Sequence, residues 1–310
     1  MGTGGVSCAS LEKLAGDKNY SVVAVVTQPD KPKGRDLKLT PSPVKILAEK
    51  LSLPMLQPLK ARDEKFITEL RGLNPDLIVV VAYGQILPQT ILDLPRFCCL
   101  NVHTSLLPKY RGAAPIQWAI ANGDTETGVT IMKMDAGLDT GPILSKRGTP
   151  IMPTDDSQIL HDRLAQLGAE LLIETIPDYT AGKIQSQPQP AEGSTYAAKI
   201  KKEDGKIDWN LPAEKIWNRL RAFMPWPGVF TFLQSEPKPT MVKIWQAEVV
   251  EKSGMCGIII SADKTGILVG CGKDSLRILE LQREGARRLT AEQFLAGCSL
   301  KAGDLFIGIE

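Results

Sequence analysis

Two stretches of the chain are apolar almost without interruption: SVVAVV (Ser21–Val26) and the valine-rich DLIVVVAYG (Asp76–Gly84). Runs of that length, bounded by turn residues, predict strands buried on both faces of a parallel sheet. Between them apolar residues recur at helical spacing, first Val44, Ile46, Leu47 and Leu51, then Phe66, Ile67, Leu70 and Leu73. FCCLNVH predicts a further strand, and PIQWAIANG a short helix ending at Gly123. GVTIMKMD and GPILSKRGTPI read as strands joined by a glycine-bearing turn. DDSQILHDRLAQLGAELLIETI reads as a long amphipathic helix with acids in its first turn. This alternation predicts an α/β domain over residues 1–182, built on a Rossmann-like, mostly parallel sheet.

The pattern breaks at Lys183. Residues 183–205 are polar, proline-bearing and without period, as in a linker or an extended arm. From 206 to 310 a short helix, PAEKIWNRLRAF, precedes VKIWQAEVV, GIIISA, GILVGCG and SLRILELQ, separated by glycine-bearing turns. Short alternating runs at that spacing predict a small β-barrel or sandwich, an OB-like barrel being expected. TAEQFLAG closes as a helix capped by Thr290.

Composition narrows the class. With 43% apolar and 23% charged residues the chain is an ordinary soluble globular protein. A net charge of +2 announces no polyanionic partner, so any basic surface must be local. No run approaches a membrane span, and the N-terminus lacks a signal pattern. The six cysteines show no CxxC spacing, which argues against a disulfide framework or a zinc site and for a reducing cytoplasm. A cytoplasmic monomer without metal is expected.

Candidate chemistry sits in NVHTSLLPKYRGAAPIQWAI, which holds one of only two histidines. Open α/β sheets bind ligands at the carboxyl ends of their strands, and Asn101 and His103 fall at such an end. Two residues apart on a strand, they face the same side and can converge on one substrate. His161, in the long helix beside Asp162, reads as structural. An imidazole in catalysis needs a carboxylate partner. DAGLDTG (Asp135–Gly141) offers two, and spacing alone does not choose between Asp135 and Asp139. The tandem Cys98–Cys99 reads as strand filling, one thiol to each face.

Taken with GDTETGVTIMKMDAGLDTGPIL, the histidine-bearing stretch resembles the folate-dependent formyltransferases. TQPDKPKGRDLKLTPSPVK (Thr27–Lys45), VVVAYGQILP and KIDWNLPAEKIWNRLRAFMPWPGVFT extend the resemblance over nearly the whole chain. It implies formyl transfer from 10-formyltetrahydrofolate to the α-amine of methionine on initiator tRNA. It also implies a catalytic set of Asn101, His103 and Asp139 with no metal. Ser105, Leu106, Leu107 and Pro108 are expected to line the folate site, with Val81, Tyr83 and Gly84 beneath the pterin. In the basic loop, Arg35 with Lys33 and Lys38 is expected to reach the tRNA, and residues 206–310 to help bind it. Phosphate contacts of this kind position rather than specify. The alternatives are a formyl enzyme acting on a sugar nucleotide, on glycinamide ribonucleotide or on water, and a non-catalytic binding protein. One departure stands out: family members open with an apolar strand running into Met-Gly-Thr, whereas here the sequence begins at that Met. The strand is central in such a sheet, so its neighbours are expected to lack a pairing partner. FMPWPGVF, Phe223–Phe230, reads as a packed corner.

Overall fold

The computed structural model describes residues 1–33, 38–234 and 239–308, apart from the side chain of Lys33. The chain divides into two compact units. One comprises Met1–Pro115, Glu126–Ile151 and Ile159–Ala198; the other comprises Ile116–Thr125, Met152–Gln158 and Lys199–Glu310. This differs from boundaries at 182 and 206. Residues up to 198 stay with the first unit because β-bridges tie them to it, at Gln187–Ile143 and at Tyr196–Arg111. Ile116–Thr125 and Met152–Gln158 join the second, where Trp118 meets Phe223 edge-on at 5.9 Å and the Arg221 guanidinium holds the carbonyls of Met152 and Asp155.

In chain order the first unit runs α1 (Val6–Gly16), β1 (Val25–Val26), β2 (Lys31–Lys33), β3 (Lys38–Thr40), α2 (Pro43–Lys50), β4 (Met55–Leu56), α3 (Glu64–Gly72), β5 (Leu77–Val80), α4 (Gln89–Leu92), β6 (Cys98–His103), β7 (Arg111–Gly112), α5 (Pro115–Asn122), β8 (Glu126–Lys133), β9 (Ile143–Pro150), α6 (Ser157–Thr180) and β10 (Tyr196–Ala197); α5 and α6 begin or continue across the division. The α/β class is as expected. β1 pairs β4 in parallel and β5 pairs β6 in parallel, while β8 and β9 add an antiparallel hairpin beside β6. Ser42 starts α2 by accepting from Lys45 N with proline next in line, and Asp63 starts α3 by accepting from Lys65 N and Phe66 N. The valine runs do what their composition requires. Val26, Ile78, Val80 and Cys99 form one core with Phe66, Leu70, Tyr83 and Ile91.

Of the expected strand Ser21–Val26 only Val25–Val26 forms, and α1 carries no pattern that sequence reading picked out. The pairing partner was expected to be missing between β1 and β5. Met1 and Gly2 enter that gap: Gly2 N donates to Val26 O and Val81 N to Met1 O, both at 2.9 Å. They reach only the carboxyl ends of the two strands. Beside them lies a cavity of about 440 Å³ lined by Leu14, Tyr20, Val22, Ala24, Leu77 and Val79. The sheet is accordingly in two parts, β1–β4 and β5–β6–β8–β9.

The second unit holds α7 (Ala213–Ala222), β11 (Val229–Leu233), β12 (Thr240–Val250), β13 (Ile259–Asp263), β14 (Gly266–Gly270), β15 (Ser275–Arg283), β16 (Leu289–Thr290), α8 (Ala291–Ala296) and β17 (Phe306–Ile307). Its antiparallel sheet, in the order β13-β14-β15-β12-β11-β17, curls into a half-barrel. The outermost strands approach through Ile259 N to Asp304 O and Phe306 N to Gly257 O, both 2.9 Å. Thr290 caps α8 as expected, accepting from Gln293 N. In FMPWPGVF, Phe223 and Val229 are buried but Trp226 is 60% exposed, so the corner packs without its tryptophan.

Candidate active site at the end of the central strand

Every residue of β6 is buried, including its two polar ones, Asn101 and His103. Buried polar groups need partners, and theirs are the Asp139 carboxylate and the Tyr110 carbonyl. β8 runs antiparallel alongside and places Thr130 opposite His103. Between β8 and β9 the chain turns through Asp135–Gly141. Asp135 caps that turn itself, its Oδ1 accepting from Gly137 N at 3.1 Å and from Thr140 Oγ1 at 2.7 Å. Asp139 sits at φ +52°, a left-handed conformation that aspartate tolerates better than most residues, and its carboxylate points to β6. Gly141 lets the turn close tightly, since a Cβ there would lie 1.8 Å from Lys133 O.

The geometry chooses between the two acids that sequence left open. Asp139 Oδ1 accepts from Asn101 Nδ2 at 3.2 Å, and Oδ2 accepts from Gly112 N at 2.8 Å. His103 Nδ1 stands 3.6 Å from Oδ2, an ion-pair distance rather than a hydrogen bond. On its other side His103 Nε2 lies 2.9 Å from Tyr110 O; because a carbonyl only accepts, Nε2 carries the hydrogen. Both ring nitrogens thus face oxygen acceptors, the arrangement that a doubly protonated imidazole fits. Asn101 spends one amide hydrogen on Asp139 and keeps the other.

The loop after β6 is fastened by Thr130, whose hydroxyl donates to Ser105 O (2.7 Å) and accepts from Leu107 N (3.1 Å). Ser105 Oγ in turn donates to Lys109 O. Of the residues expected to line a folate site, Ser105 and Leu107 are wholly buried, Leu107 packing on Met132 and Ile143. Leu106 and Pro108 are half-buried and present apolar surface. Val81 and Tyr83 are buried, and burial pushes the Tyr83 hydroxyl up to about 12. Their carbonyls are engaged within the chain, Val81 O by Ser7 Oγ at 2.6 Å and Tyr83 O by Thr3 Oγ1 at 3.0 Å. Gln28 Nε2 donates to Tyr83 O at 2.7 Å and leaves no room for a Cβ at Gly84, whose φ is +77°.

In the basic loop, Lys38 is exposed on β3. Arg35 and the side chain of Lys33 lie outside the described residues. Lys45 is held by Asp30 at 2.8 Å, which keeps the Asp30 carboxyl below its ordinary range, and Lys31 is held by Gln28. Sequence reading missed Thr130 and Gln189. Gln189 Nε2 donates to both Asp139 O and Gly141 O at 2.8 Å, while its Oε1 accepts from Arg111 Nε and a terminal guanidinium nitrogen at 3.0 and 2.7 Å. It falls in a polar segment with no period and no motif, so nothing in a single sequence marks it.

Among the described residues no group of three or more His, Cys, Asp or Glu could hold a metal, and no helix is long and apolar enough to cross a membrane. The formyl transferase family matches residues 2–176, and the formyl transferase C-terminal domain matches residues 199–299. The methionyl-tRNA formyltransferase of Geobacter metallireducens is 51% identical over 303 residues, covering 98% of this chain and 96% of its own length. That of Aromatoleum aromaticum is 48% identical over 305 residues, covering 98% and 95%. Among solved structures, an N-formyltransferase from Helicobacter canadensis in complex with folinic acid and dTDP-3-aminofucose superposes with a TM-score of 0.67 at 19% identity, covering 89% of this chain and 97% of its own, a likeness of fold.

Proposed function

Because the chain belongs to the formyl transferase family, we propose that it transfers a formyl group from 10-formyltetrahydrofolate to the α-amine of methionine on initiator tRNA. Identity near one half along 98% of the chain, to relatives named for that reaction, supports the choice of acceptor. The folate donor is supported by solved relatives, one of them holding tetrahydrofolic acid. Within the chain, the observation that carries the reading is the trio in which the half-buried Asp139 joins the buried Asn101 and His103.

The residues present suit such a donor. Two side chains bearing N–H groups lie buried at the end of β6, followed directly by the half-buried apolar Leu106 and Pro108. The bound folate supplies an electrophilic formyl carbon. Attack by the amine forms a C–N bond and puts negative charge on the formyl oxygen, which preplaced donors stabilise. Asn101 offers its second amide hydrogen. His103 offers Nε2–H by exchanging Tyr110 O for the substrate oxygen. Asp139 balances the imidazolium and takes, directly or through water, the proton that the attacking amine loses. That proton passes to the departing nitrogen of the folate when its bond to the formyl carbon breaks.

The division of labour is part of the proposal: the first unit carries the chemistry, and residues 206–310 bind the tRNA, with Arg35, Lys33 and Lys38 reaching its acceptor end. We also propose a cytoplasmic monomer. The deciding experiment offers the chain 10-formyltetrahydrofolate with methionyl initiator tRNA and, in parallel, an amino-sugar nucleotide and glycinamide ribonucleotide. Formyl-methionyl-tRNA as the dominant product is expected. Formylation of either small acceptor in place of the tRNA refutes the reading.

A further inference from the structure

We propose that Gln189 is a positioning residue, which sets the Asp139 carboxylate by holding the backbone of its turn, and that residues 187–197 form a strap belonging to the catalytic site. This rests on the reaction assigned above only for what the site does, since the geometry stands by itself.

Asp139 has to present both carboxylate oxygens to different partners, from a turn whose own cap, Asp135, holds the Gly137 amide and the Thr140 hydroxyl rather than the backbone of its second half. The second half is gripped from outside. Gln189 Nε2 places one hydrogen on Asp139 O and the other on Gly141 O, so its amide spans the left-handed residue and the glycine after it. The amide can face only one way. Reversed, its oxygen would meet two carbonyls and its NH2 would meet the guanidinium of Arg111. Arg111 Nε and a terminal nitrogen fix that orientation by donating to Oε1.

Around Gln189 the strap is stitched to the same loops. Gln187 exchanges both backbone hydrogen bonds with Ile143 at 2.8 Å, just beyond the Asp139 turn. Thr195 Oγ1 accepts from Tyr110 N at 2.8 Å, and Arg111 N donates to Thr195 O at 2.9 Å. Ala197 O accepts from Ala113 N at 2.9 Å and comes so close to Gly112 that a Cβ there would lie 2.6 Å away. Tyr110 O receives His103 Nε2, and Gly112 N donates to Asp139. One segment therefore fixes the backbone of all three elements that orient His103: the Asp139 turn, the Tyr110 carbonyl and the Gly112 amide. The sequence presented this segment as a linker.

Gln189→Glu and Gln189→Leu in the full chain test it. Glutamate keeps the shape and the Arg111 contact, but replaces the two N–H donors with an oxygen facing two carbonyls. A merely structural role would leave the glutamate variant the milder of the two. Positioning makes both severe: kcat falls on the order of 10- to 100-fold while the KM values stay within about 3-fold, because displacement of a catalytic group by an ångström costs turnover. In parallel, 15N-histidine NMR reads the two rings, with signals assigned by His161→Gln. The His103 signals move in both Gln189 variants and those of His161 do not. A kcat within about 3-fold of wild type, or unmoved His103 signals, overturns the inference. If the unsubstituted chain forms no formyl-methionyl-tRNA, the functional reading fails, and the NMR comparison alone decides the role of Gln189.

Discussion

Asp139→Asn is the sharpest perturbation of the trio because it removes charge and almost nothing else. The carboxylate accepts from Asn101 Nδ2 at 3.2 Å and from Gly112 N at 2.8 Å, and faces His103 Nδ1 at 3.6 Å. An amide in its place has one oxygen for these three donors. Turned one way, its NH2 meets the Asn101 NH2; turned the other, it meets Gly112 N–H and the imidazole. Each hydrogen bond to a charged group contributes about 1.5–3 kcal/mol. Opposite charges some 4 Å apart near a protein surface attract by about 4 kcal/mol. Loss of a general base in this position costs roughly 10²- to 10⁴-fold in rate, or about 3–5 kcal/mol at 1.36 kcal/mol per decade, which matches the interactions removed. The assay is single-turnover formylation of methionyl initiator tRNA at saturating donor, with the melting temperature measured alongside. We expect kcat to fall by at least about 10²-fold and melting to fall by about 2–4 °C per kcal/mol of folded-state interaction lost, so turnover is compared well below the melting transition. Asp135→Asn is the control, because an asparagine oxygen still accepts from Gly137 N and Thr140 Oγ1. Its turnover should stay within about 3-fold of wild type. If Asp139→Asn keeps turnover, or Asp135→Asn loses as much, the assignment of the carboxylate is refuted.

Three further outcomes are expected. Asn101→Ala removes a preplaced donor and lowers kcat about 10²- to 10³-fold with donor KM nearly unchanged; a large KM effect with intact kcat would mark Asn101 as a binding group instead. Lys38→Glu raises the KM for tRNA and flattens its salt dependence by about one unit of slope, leaving folate KM alone; a change in folate KM counts against the loop as a tRNA contact. Phe223→Ala empties a fully buried ring site against Trp118 and costs about 3–5 kcal/mol in urea unfolding; a loss under about 1 kcal/mol would mean that the surrounding unit collapses to fill it.

Why the sequence disclosed some of this site and concealed the rest follows from what each residue interacts with. Strand β6 is buried on both faces and β5 buried on one and half-buried on the other; both were legible as apolar runs, and Asn101 and His103 stood out as polar exceptions. The Ser21–Val26 run read the same way, yet only Val25–Val26 pair, in parallel with Met55–Leu56. Asp135 and Asp139 looked equivalent because their spacing encodes the turn and not the direction each carboxylate takes. Asp139 takes a left-handed φ, and its carbonyl is held by a glutamine fifty positions later in sequence. Gln189 acts through a side chain that grips backbone, so neither hydrophobic period nor charge pattern registers it. A residue of this kind becomes visible only when the backbone it holds carries a group proposed for catalysis, as the turn at Asp139 does. For that reason a glutamine in a segment resembling a linker is a sharper test of the site than a substitution at His103.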